Sequence, residues 1–282
     1  MLSAPGRLLI EPVVRRGLLE DVGHGGDLTT EALVDPHLRA TADIVARKDG
    51  VIAGLDAARL AFELLDPRTD FTVIVPDGSR AHAGQTVARV QSSARAVLTG
   101  ERTALNILAR LCGVATATRA LVDAVGAAPA SIVCTRKTTP GLRVLEKYAV
   151  RCGGGANHRF GLDDGVLIKD NHLALSASIA GAIEAARRRA GHMVKIEVEV
   201  DTLDQLHQVL EAGADAVLLD NMSIESLRQA VELVGGKMLT EASGTITVER
   251  VGAVAATGVD LISSGWITHS APALDLGLDV EG

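Results

Sequence analysis

Cationic side chains recur in one stretch of the sequence, each shortly after an apolar run or a glycine-rich segment. They are Arg136, Lys137, His158, Arg159 and Lys169. A guanidinium group binds carboxylates and phosphates through two parallel hydrogen bonds. Several cations in one pocket require anions to neutralise them, so these residues predict a ligand with more than one negative charge. The alternative is internal ion pairing with the nearby acids Asp163, Asp164 and Asp170.

The distribution of charge favours a small anionic ligand. The chain has a net charge of −7, whereas the window from Cys134 to His172 carries +3, from seven basic and four acidic residues. A cationic segment in an acidic protein lacks the basic footprint of a nucleic-acid binder. We interpret the other basic residues that flank the motifs, Arg143, Lys147 and Arg151, as parts of solvated helix faces.

Acidic side chains stand at the ends of two later apolar runs. Glu199 ends one predicted strand, Asp220 ends the next, and Glu197 shares a strand face with Glu199 because strand side chains alternate. Such carboxylates can hold sugar hydroxyls, or Mg²⁺ through water, because that ion keeps several of its waters. The alternative is that they only balance the cationic residues.

Two small Ser-Gly segments follow the last apolar runs, at Ser243-Gly244-Thr245 and at Ser264-Gly265. Both precede helical patterns, where backbone N–H groups and the helix dipole favour phosphate. Late loops of a parallel α/β barrel are the usual phosphate site of that architecture. An ordinary turn is the alternative for each segment taken alone.

The elements that position these residues change character at Ser131. From there on, short apolar runs recur at intervals of about 20 to 34 residues, separated by helical patterns, which indicates a parallel sheet with right-handed crossovers. The 152 residues from Ser131 onward are too few for a complete eight-unit barrel, which needs about 250. We therefore predict an incomplete barrel of six or seven strands, with an open doubly wound sheet as the alternative.

The first part of the chain mixes helix and strand patterns. A long helix is predicted over about Ala94 to Val125, with a break near Gly113. The shorter elements are predicted strands at Ala40–Ala46, Phe71–Val75 and Thr86–Val90, and a predicted helix at Leu55–Asp66.

The cysteine content and the length of the apolar runs indicate the compartment in which the protein works. The three cysteines, Cys112, Cys134 and Cys152, have no metal-ligand spacing, and we expect them to be small core residues in a reducing compartment. No signal-peptide core is evident, and no run approaches the ~18 apolar residues of a membrane span. We expect a cytoplasmic protein without membrane partners. Among the histidines, His172 is expected to make a hydrogen bond that stabilises its loop.

Several long strings resemble the quinolinate phosphoribosyltransferase family. The resemblance extends from about residue 15 to residue 277. The strings are Gly26-Asp27-Leu28-Thr29-Thr30, Glu101-Arg102-Thr103-Ala104-Leu105-Asn106, Thr135-Arg136-Lys137-Thr138, Gly153 to Leu162 with its Asn157-His158-Arg159, and Lys169-Asp170-Asn171-His172.

The resemblance implies a reaction. Quinolinate and phosphoribosyl pyrophosphate would combine in the presence of Mg²⁺ to give nicotinate mononucleotide, pyrophosphate and CO₂ in de novo NAD biosynthesis. Both substrates carry several negative charges, which suits the cationic residues. The pyridine nitrogen has a free lone pair, so neither a general base nor an organic cofactor is expected.

The resemblance also implies a role for each matching residue and an assembly. Arg102 would reach into a neighbouring subunit's site, which implies a homodimer, with a higher oligomer left open. The implied domains are an N-terminal α/β sandwich at 1–108, completed by 268–282, and an incomplete α/β barrel at 109–267. The implied sites are quinolinate at Arg102, Thr135, Arg136, Lys137, His158 and Arg159; ribose, pyrophosphate and Mg²⁺ at Lys169, Glu199 and Asp220; and the 5′-phosphate at Ser243, Gly244, Thr245, Ser264, Gly265 and Trp266.

Two residues depart from the family pattern. Thr245 stands where glycine is common, and Trp266 stands where a small residue is usual. Three other functions stay open at this point: a related enzyme of the molybdenum-transport-associated branch with another substrate, a Schiff-base aldolase that uses Lys169, and a sensor that binds phosphoribosyl pyrophosphate without turnover.

Overall fold

The computed structural model describes residues 3–281, and the chain forms two compact units. The first unit comprises the chain up to Arg119, Thr138–Gly154 and the chain from Ile267 onward. The second comprises Ala120–Lys137 and Gly155–Trp266. The domain boundaries at 1–108, 109–267 and 268–282 stay predictions, because compact units do not establish which segments fold independently.

The bounds of the elements are as follows. The helices are α1 (Arg7–Val22), α2 (Leu28–Leu33), α3 (Leu55–Glu63), α4 (Ala94–Val125), α5 (Arg143–Cys152), α6 (Asp170–Ala174), α7 (Ile179–Arg189), α8 (Leu203–Ala212), α9 (Ile224–Val234), α10 (Val248–Ala255) and α11 (Trp266–His269). The strands are β1 (Arg39–Ala46), β2 (Gly50–Val51), β3 (Asp70–Val73), β4 (Arg80–Ala81), β5 (Thr86–Ser93), β6 (Ser131–Val133), β7 (Val166–Ile168), β8 (Ile196–Val200), β9 (Ala216–Asp220), β10 (Leu239–Ser243), β11 (Leu261–Ser263) and β12 (Leu276–Val280).

The first unit contains a four-stranded antiparallel sheet in the order β12-β1-β5-β3. The three predicted strands and the predicted helix α3 are confirmed, and their ends differ from the predicted ones by at most three residues. The sequence analysis missed β12, which pairs with β1 from Ala42↔Val280 to Ala46↔Leu276. The available signal was the alternation of apolar residues at Leu276, Leu278 and Val280.

The long helix α4 is unbroken, so the predicted break near Gly113 is wrong. A Cβ atom at Gly113 would lie 2.1 Å from the carbonyl oxygen of Pro272. Beside this contact, the N–H of Leu274 donates to the carbonyl oxygen of Ala109 at 3.0 Å. The glycine is therefore explained by the close approach of the C-terminal segment and not by an interruption of the helix.

A buried ion pair also fastens the C-terminal segment to the first unit. Glu146 on α5 is fully buried and accepts a hydrogen bond from Nε of Arg110 on α4 at 2.9 Å. Arg110 also donates to the carbonyl oxygens of Ala271, at 2.9 Å, and Thr268. The backbone N–H and the hydroxyl of Thr139 donate to the same carboxylate at 3.0 and 2.8 Å. Because its lone pairs are satisfied, this carboxylate can remain ionised in the core.

The solvated-face interpretation is wrong for Lys147, which is fully buried. Residues 145–150 of α5 are all buried, so the helix has no continuous solvated face there. Arg151 is exposed, as expected, and Arg143 is half-buried with its Nε donating to the hydroxyl of Thr138 at 3.0 Å. A basic residue within an otherwise helical pattern did not reveal that both sides of this helix are covered.

The second unit contains a six-stranded parallel sheet in the order β6-β11-β10-β9-β8-β7. The first two strands of the series in sequence, β6 and β7, occupy opposite edges of the sheet, and they do not pair with each other within residues 3–281. The prediction of an incomplete parallel α/β barrel is confirmed, with six strands.

The two faces of this sheet differ in polarity. One face is packed against helices α7 to α10 and carries buried apolar side chains such as Val198, Val217 and Ile262. The alternate residues share the opposite face, hereafter the inner face, because strand side chains alternate and the parallel register aligns them. The polar residues of the inner face are Glu197, Glu199, Asp220, Glu241, Ser243 and Ser263.

Helix α4 has the length and composition of a membrane-spanning helix. Within residues 3–281 it is the helix long and apolar enough to cross one, with a mean hydropathy of 1.3 over 18 residues, but 56% of that window is buried in the protein. The core helix of a globular protein meets the same criteria. The sequence analysis overlooked it because its Leu, Val, Ile, Ala and Cys residues are interrupted by Arg, Gly and Thr and form no continuous apolar run.

Replacement of Arg110 tests the buried ion pair. Arg110→Met leaves the Glu146 carboxylate in the core without its cation, so the free energy of unfolding should fall by about 3–5 kcal/mol. The matched control is Arg188→Met, which breaks an exposed pair with Glu184 and should cost less than about 1 kcal/mol. Urea denaturation measures both, and similar losses for the two variants would contradict the role assigned to Arg110.

Candidate active site

The cationic residues of the second unit lie in loops that follow edge strands of the parallel sheet. Arg136 and Lys137 follow β6, and Lys169 follows β7 directly. His158 and Arg159 follow Ala156, which bridges to Val133 at the end of β6. The turn after β6 is closed by the N–H of Lys137, which donates to Oγ1 of Thr135 at 3.0 Å.

Lys169 and Glu199 form an ion pair at the ends of two adjacent strands. The Nζ atom of Lys169 lies 3.3 Å from Oε2 of Glu199. Burial raises the pKa of Glu199, the ammonium group of Lys169 lowers it, and the nearby carboxylates of Asp220 and Asp170 raise it further. The net shift is upward because burial outweighs the effect of Lys169.

The loop after Lys169 is held by His172, as predicted. Its Nδ1 accepts a hydrogen bond from the backbone N–H of Lys169 at 2.9 Å. The three cysteines are buried and form no disulfide within residues 3–281, which confirms their expected role as core residues.

Arg136 and Arg159 bring two positive charges close together. Burial lowers the pKa of Arg159 most, and the charge of Arg136 lowers it further, whereas Glu197 and Asp164 raise it. One terminal nitrogen of Arg159 donates to the carbonyl oxygen of Gly165 at 2.8 Å, which fixes the direction of the side chain. Two guanidinium groups at short range favour a ligand with two negative charges.

The acids proposed as internal partners have other contacts. The carboxylate of Asp164 accepts hydrogen bonds from the backbone N–H groups of Phe160 and Gly161, at 2.6 and 2.8 Å. The carboxylate of Asp170 accepts from the N–H of Asn171 at 2.7 Å. These bonds shape the loops that carry the cations, so the acids serve the backbone as well as the charge balance.

A buried cluster of His158, Glu197 and Glu241 lies on the inner face. Nε2 of His158 is 2.9 Å from Oε2 of Glu197 and 3.6 Å from Oε2 of Glu241. Nδ1 of the same ring accepts the backbone N–H of Arg159 at 2.7 Å. With this ring orientation both nitrogens of His158 are engaged by the protein, so its direct contact with a quinolinate carboxylate stays a prediction.

The sequence analysis left Glu241 out of the site. The usable signal was its register: it shares the inner face with Glu199, because both lie opposite Leu218 of the intervening strand. Neighbouring strands in a sheet cannot be identified from one strand's sequence, so this alignment required the sheet order.

Comparison with known proteins identifies the family. Residues 27–112 match "Quinolinate phosphoribosyl transferase, N-terminal domain" and residues 114–279 match the corresponding C-terminal domain. The chain belongs to the quinolinate phosphoribosyltransferase family. This confirms the resemblance of the sequence strings and favours it over the alternatives of other families.

Individual relatives cover nearly the whole chain. A probable carboxylating nicotinate-nucleotide pyrophosphorylase of Bacillus subtilis is 45% identical over 97% of this chain and 94% of its own length. The corresponding protein of Mycobacterium leprae is 44% identical over 95% of each chain. The structure of the nicotinate-nucleotide pyrophosphorylase from Francisella tularensis superposes with a TM-score of 0.95, at 38% identity, over 100% of this chain and 99% of that one.

The segment Ser243–Thr245, predicted to bind phosphate, has a strained backbone. Gly244 and Thr245 have φ angles of 94° and 45°, and neighbouring Asn221 has a φ of 52°. A Cβ at Gly244 would lie 2.0 Å from Oδ1 of Asn221, so only glycine fits there. Arg250 on α10 donates to the carbonyl oxygens of Gly244 and Thr245 at 3.2 Å and holds the loop. The positive φ at Thr245 is a conformation that glycine adopts without strain, which agrees with the expectation of a glycine there.

The second segment predicted to bind phosphate, Ser264–Trp266, connects β11 to the short helix α11. Ser264 is buried, and its N–H donates to the carbonyl oxygen of Val133 at 3.0 Å. Gly265 follows, and Trp266 begins the helix with 39% of its surface exposed. The indole therefore lies partly outside the packed interior of the second unit.

Arg102 belongs to the first unit. It lies on α4, its side chain is 64% exposed, and one terminal nitrogen is 3.9 Å from Oε1 of Glu101. An exposed guanidinium on a helix is available to another chain, and its role in a neighbouring site stays a prediction.

Replacement of Thr245 by glycine tests the strain. A β-branched residue at positive φ costs about 1–2 kcal/mol, and glycine adds some unfolded-state entropy, so Thr245→Gly should raise the free energy of unfolding by roughly 0.5–1 kcal/mol. The control is Thr247→Gly, where φ is −118° and no relief is available. Urea denaturation compares them, and a Thr245→Gly variant less stable than the parent would contradict the strained assignment.

Proposed function

We propose that this chain catalyses transfer of the phosphoribosyl group from phosphoribosyl pyrophosphate to quinolinate, with loss of CO₂, to give nicotinate mononucleotide. Two observations on the second unit support the proposal. The guanidinium groups of Arg136 and Arg159 are close enough for the charge of one to affect the other, and Lys169 forms an ion pair with Glu199. Family membership supports the reaction type. The enzyme would be a soluble cytoplasmic one acting in NAD biosynthesis.

In the proposed site the pyridine dicarboxylate lies against Arg136 and Arg159, with Thr135, Lys137 and His158 nearby in sequence and in the same loops. The two guanidinium groups bind the carboxylates and orient the ring. Nothing in the reaction requires removal of a proton from the nucleophile, because the ring nitrogen already has a lone pair. The residues bind and orient, and no general base is assigned.

The transfer step moves one electron pair at each bond. The ring nitrogen forms a bond to the anomeric carbon of the ribose, while the bond from that carbon to the pyrophosphate oxygen breaks and its electrons leave with pyrophosphate. The ribose carbon passes through a cationic state, and the carboxylates of Glu199 and Asp220 stabilise such a charge. The ammonium group of Lys169 would stabilise the negative charge that develops on the departing pyrophosphate.

Decarboxylation follows from the product of that step. The alkylated ring nitrogen is positively charged, so it stabilises the electron pair left on the adjacent carbon when CO₂ departs. A proton from solvent then replaces the lost carboxylate. The substrate supplies its own electron sink, which is why we propose no organic cofactor.

Magnesium fits the acids at the strand ends. Glu199 and Asp220 offer oxygen donors on adjacent strands, and Asp220 is held by the side-chain amide of Asn221 at 2.7 Å. Few protein ligands and retained waters are typical of Mg²⁺ bound with a phosphorylated substrate. When bound, the ion would neutralise charge on the pyrophosphate. The 5′-phosphate would be held by the Ser243–Thr245 and Ser264–Trp266 segments.

We also propose that the protein is a homodimer in which Arg102 completes the partner's site. The first unit exposes large apolar side chains on its first two helices, which is typical of a surface that another subunit covers. They are Leu8, Leu9, Leu19, Leu28 and Leu33, between 55% and 91% exposed. Higher oligomers, and the absence of nucleic-acid or membrane partners, also stay proposals.

Product analysis tests the reaction. Purified protein with quinolinate, phosphoribosyl pyrophosphate and Mg²⁺ should form nicotinate mononucleotide, whereas nicotinate in place of quinolinate should give none, because one carboxylate cannot engage both guanidinium groups. Chromatography with mass detection identifies the product. Equal turnover of both substrates, or of neither, would contradict the proposal.

Mixed dimers test the shared site. Arg102→Gln and Arg136→Gln variants should each be nearly inactive, yet an equal mixture refolded together should recover about a quarter of the wild-type activity, because half the dimers are mixed and each has one intact site. Mixtures of either variant with itself are the controls. No recovery from dimers shown to be mixed would place Arg102 in its own subunit's site.

A further inference from the structure

Glu241 is a buried acid to which the proposed mechanism assigns no role. It lies in the middle of β10, is 1% exposed, and neither carboxylate oxygen accepts a hydrogen bond of normal geometry within residues 3–281. Its oxygen, an oxygen of Glu197 and a ring nitrogen of His158 all lie within 4.8 Å of one another. An ionised carboxylate in such a place would be costly unless something neutralised it.

The hydrogen bonds of His158 determine where its proton lies. Nδ1 accepts the backbone N–H of Arg159 at 2.7 Å, so that nitrogen carries no proton. The ring is then neutral, and its one proton lies on Nε2, 2.9 Å from Oε2 of Glu197, to which it is donated. Glu197 is therefore the carboxylate that accepts from the ring.

The same argument disfavours a metal ion at this cluster. The three donor atoms are close enough to bind one. However, coordination by Nε2 requires its lone pair, and Nδ1 already uses its own as an acceptor. Both conditions together would require a doubly deprotonated ring. A proton, not a cation, is left to neutralise the second acid.

Glu241 is the group that can hold that proton. Burial raises the pKa of Glu241, and the negative charge of Glu197 raises it further, whereas the Ser263 hydroxyl lowers it, as would a positive charge on His158. The upward effects prevail. The cluster then has a single negative charge on Glu197, which is also the charge that favours the guanidinium of Arg159.

We propose that Glu241, as a neutral carboxylic acid, is a positioning residue for the quinolinate site: it leaves the Nε2 proton of His158 to Glu197, so that Nδ1 accepts the N–H of Arg159. Glu241 would affect substrate binding through Arg159. The backbone N–H of Arg159 donates to His158, and its guanidinium group donates to the carbonyl oxygen of Gly165. The inference rests on the proposed function, because it assumes that Arg159 binds a substrate carboxylate. It adds a residue that contacts no substrate.

Two substitutions at Glu241 separate a neutral acid from a charged one. Glu241→Leu removes the polar group and should raise the KM for quinolinate about tenfold, with a smaller change in kcat and in the KM for phosphoribosyl pyrophosphate. Glu241→Gln keeps a neutral donor and acceptor of the same shape and should bring the KM for quinolinate back to within about threefold of wild type. Equal damage from both variants would show that Glu241 acts as an anion and would overturn the proposal.

The matched control is Thr240→Val on the same strand. Thr240 is also buried but points to the opposite face, where its hydroxyl donates to Asp260 at 2.7 Å. This variant should lose stability without a change in the KM for quinolinate. A rise in that KM equal to the rise in Glu241→Leu would reduce the role of Glu241 to general packing and overturn the proposal.

A second measurement uses the unmodified protein, in case Glu241→Leu does not fold. Nitrogen-15 NMR of labelled histidine, assigned with His158→Gln, should show at neutral pH a neutral His158 ring protonated at Nε2. A ring protonated on both nitrogens would place on His158 the proton assigned to Glu241 and would overturn the proposal. This spectrum is independent of turnover, so failure of the wild type to use quinolinate would refute the proposed function without deciding the state of the cluster.

Discussion

The constraint on which the site depends is the stabilisation of carboxylates on the inner face of one parallel sheet. Glu197 and Glu241 are buried there, and Glu199 is nearly so. Each acid is stabilised in a different way: Glu199 pairs with Lys169, Glu197 accepts a hydrogen bond from the neutral His158 ring, and a proton neutralises Glu241. Because each partner lies in a loop or on a strand of its own, the charge balance fixes the relative positions of these segments.

The backbone around the site is shaped by the same need for close contact. Gly244 has no room for a side chain because Asn221 lies against it, and Asn221 in turn holds the carboxylate of Asp220. The strain at Thr245 is therefore part of a connected arrangement in which the Ser243–Thr245 loop and an acid are positioned by one asparagine. Such strain is expected in the loop if its backbone approaches a phosphate, as we propose.

Much of this architecture could be predicted from the sequence. The recurrence of short apolar runs indicated a parallel sheet, the chain length indicated an incomplete barrel, and polar residues at the ends of the runs indicated the edge where a site forms. The pattern failed where tertiary contacts decide. Lys147 is buried because both sides of its helix are covered, and Gly113 is explained by Pro272, which is 159 positions away. Glu241 required the sheet order, since no local pattern relates it to His158.

The central claim is that these charges select a ligand with two carboxylates. Calorimetric titration of the protein with quinolinate and with nicotinate, each in the presence of Mg²⁺ and pyrophosphate, measures that selection directly. We expect quinolinate to bind at least about tenfold more tightly, which corresponds to about 1.4 kcal/mol and is modest for a second charge-assisted contact. Equal affinities for the two acids would contradict the account, because the two guanidinium groups would then make no favourable contact with the second carboxylate.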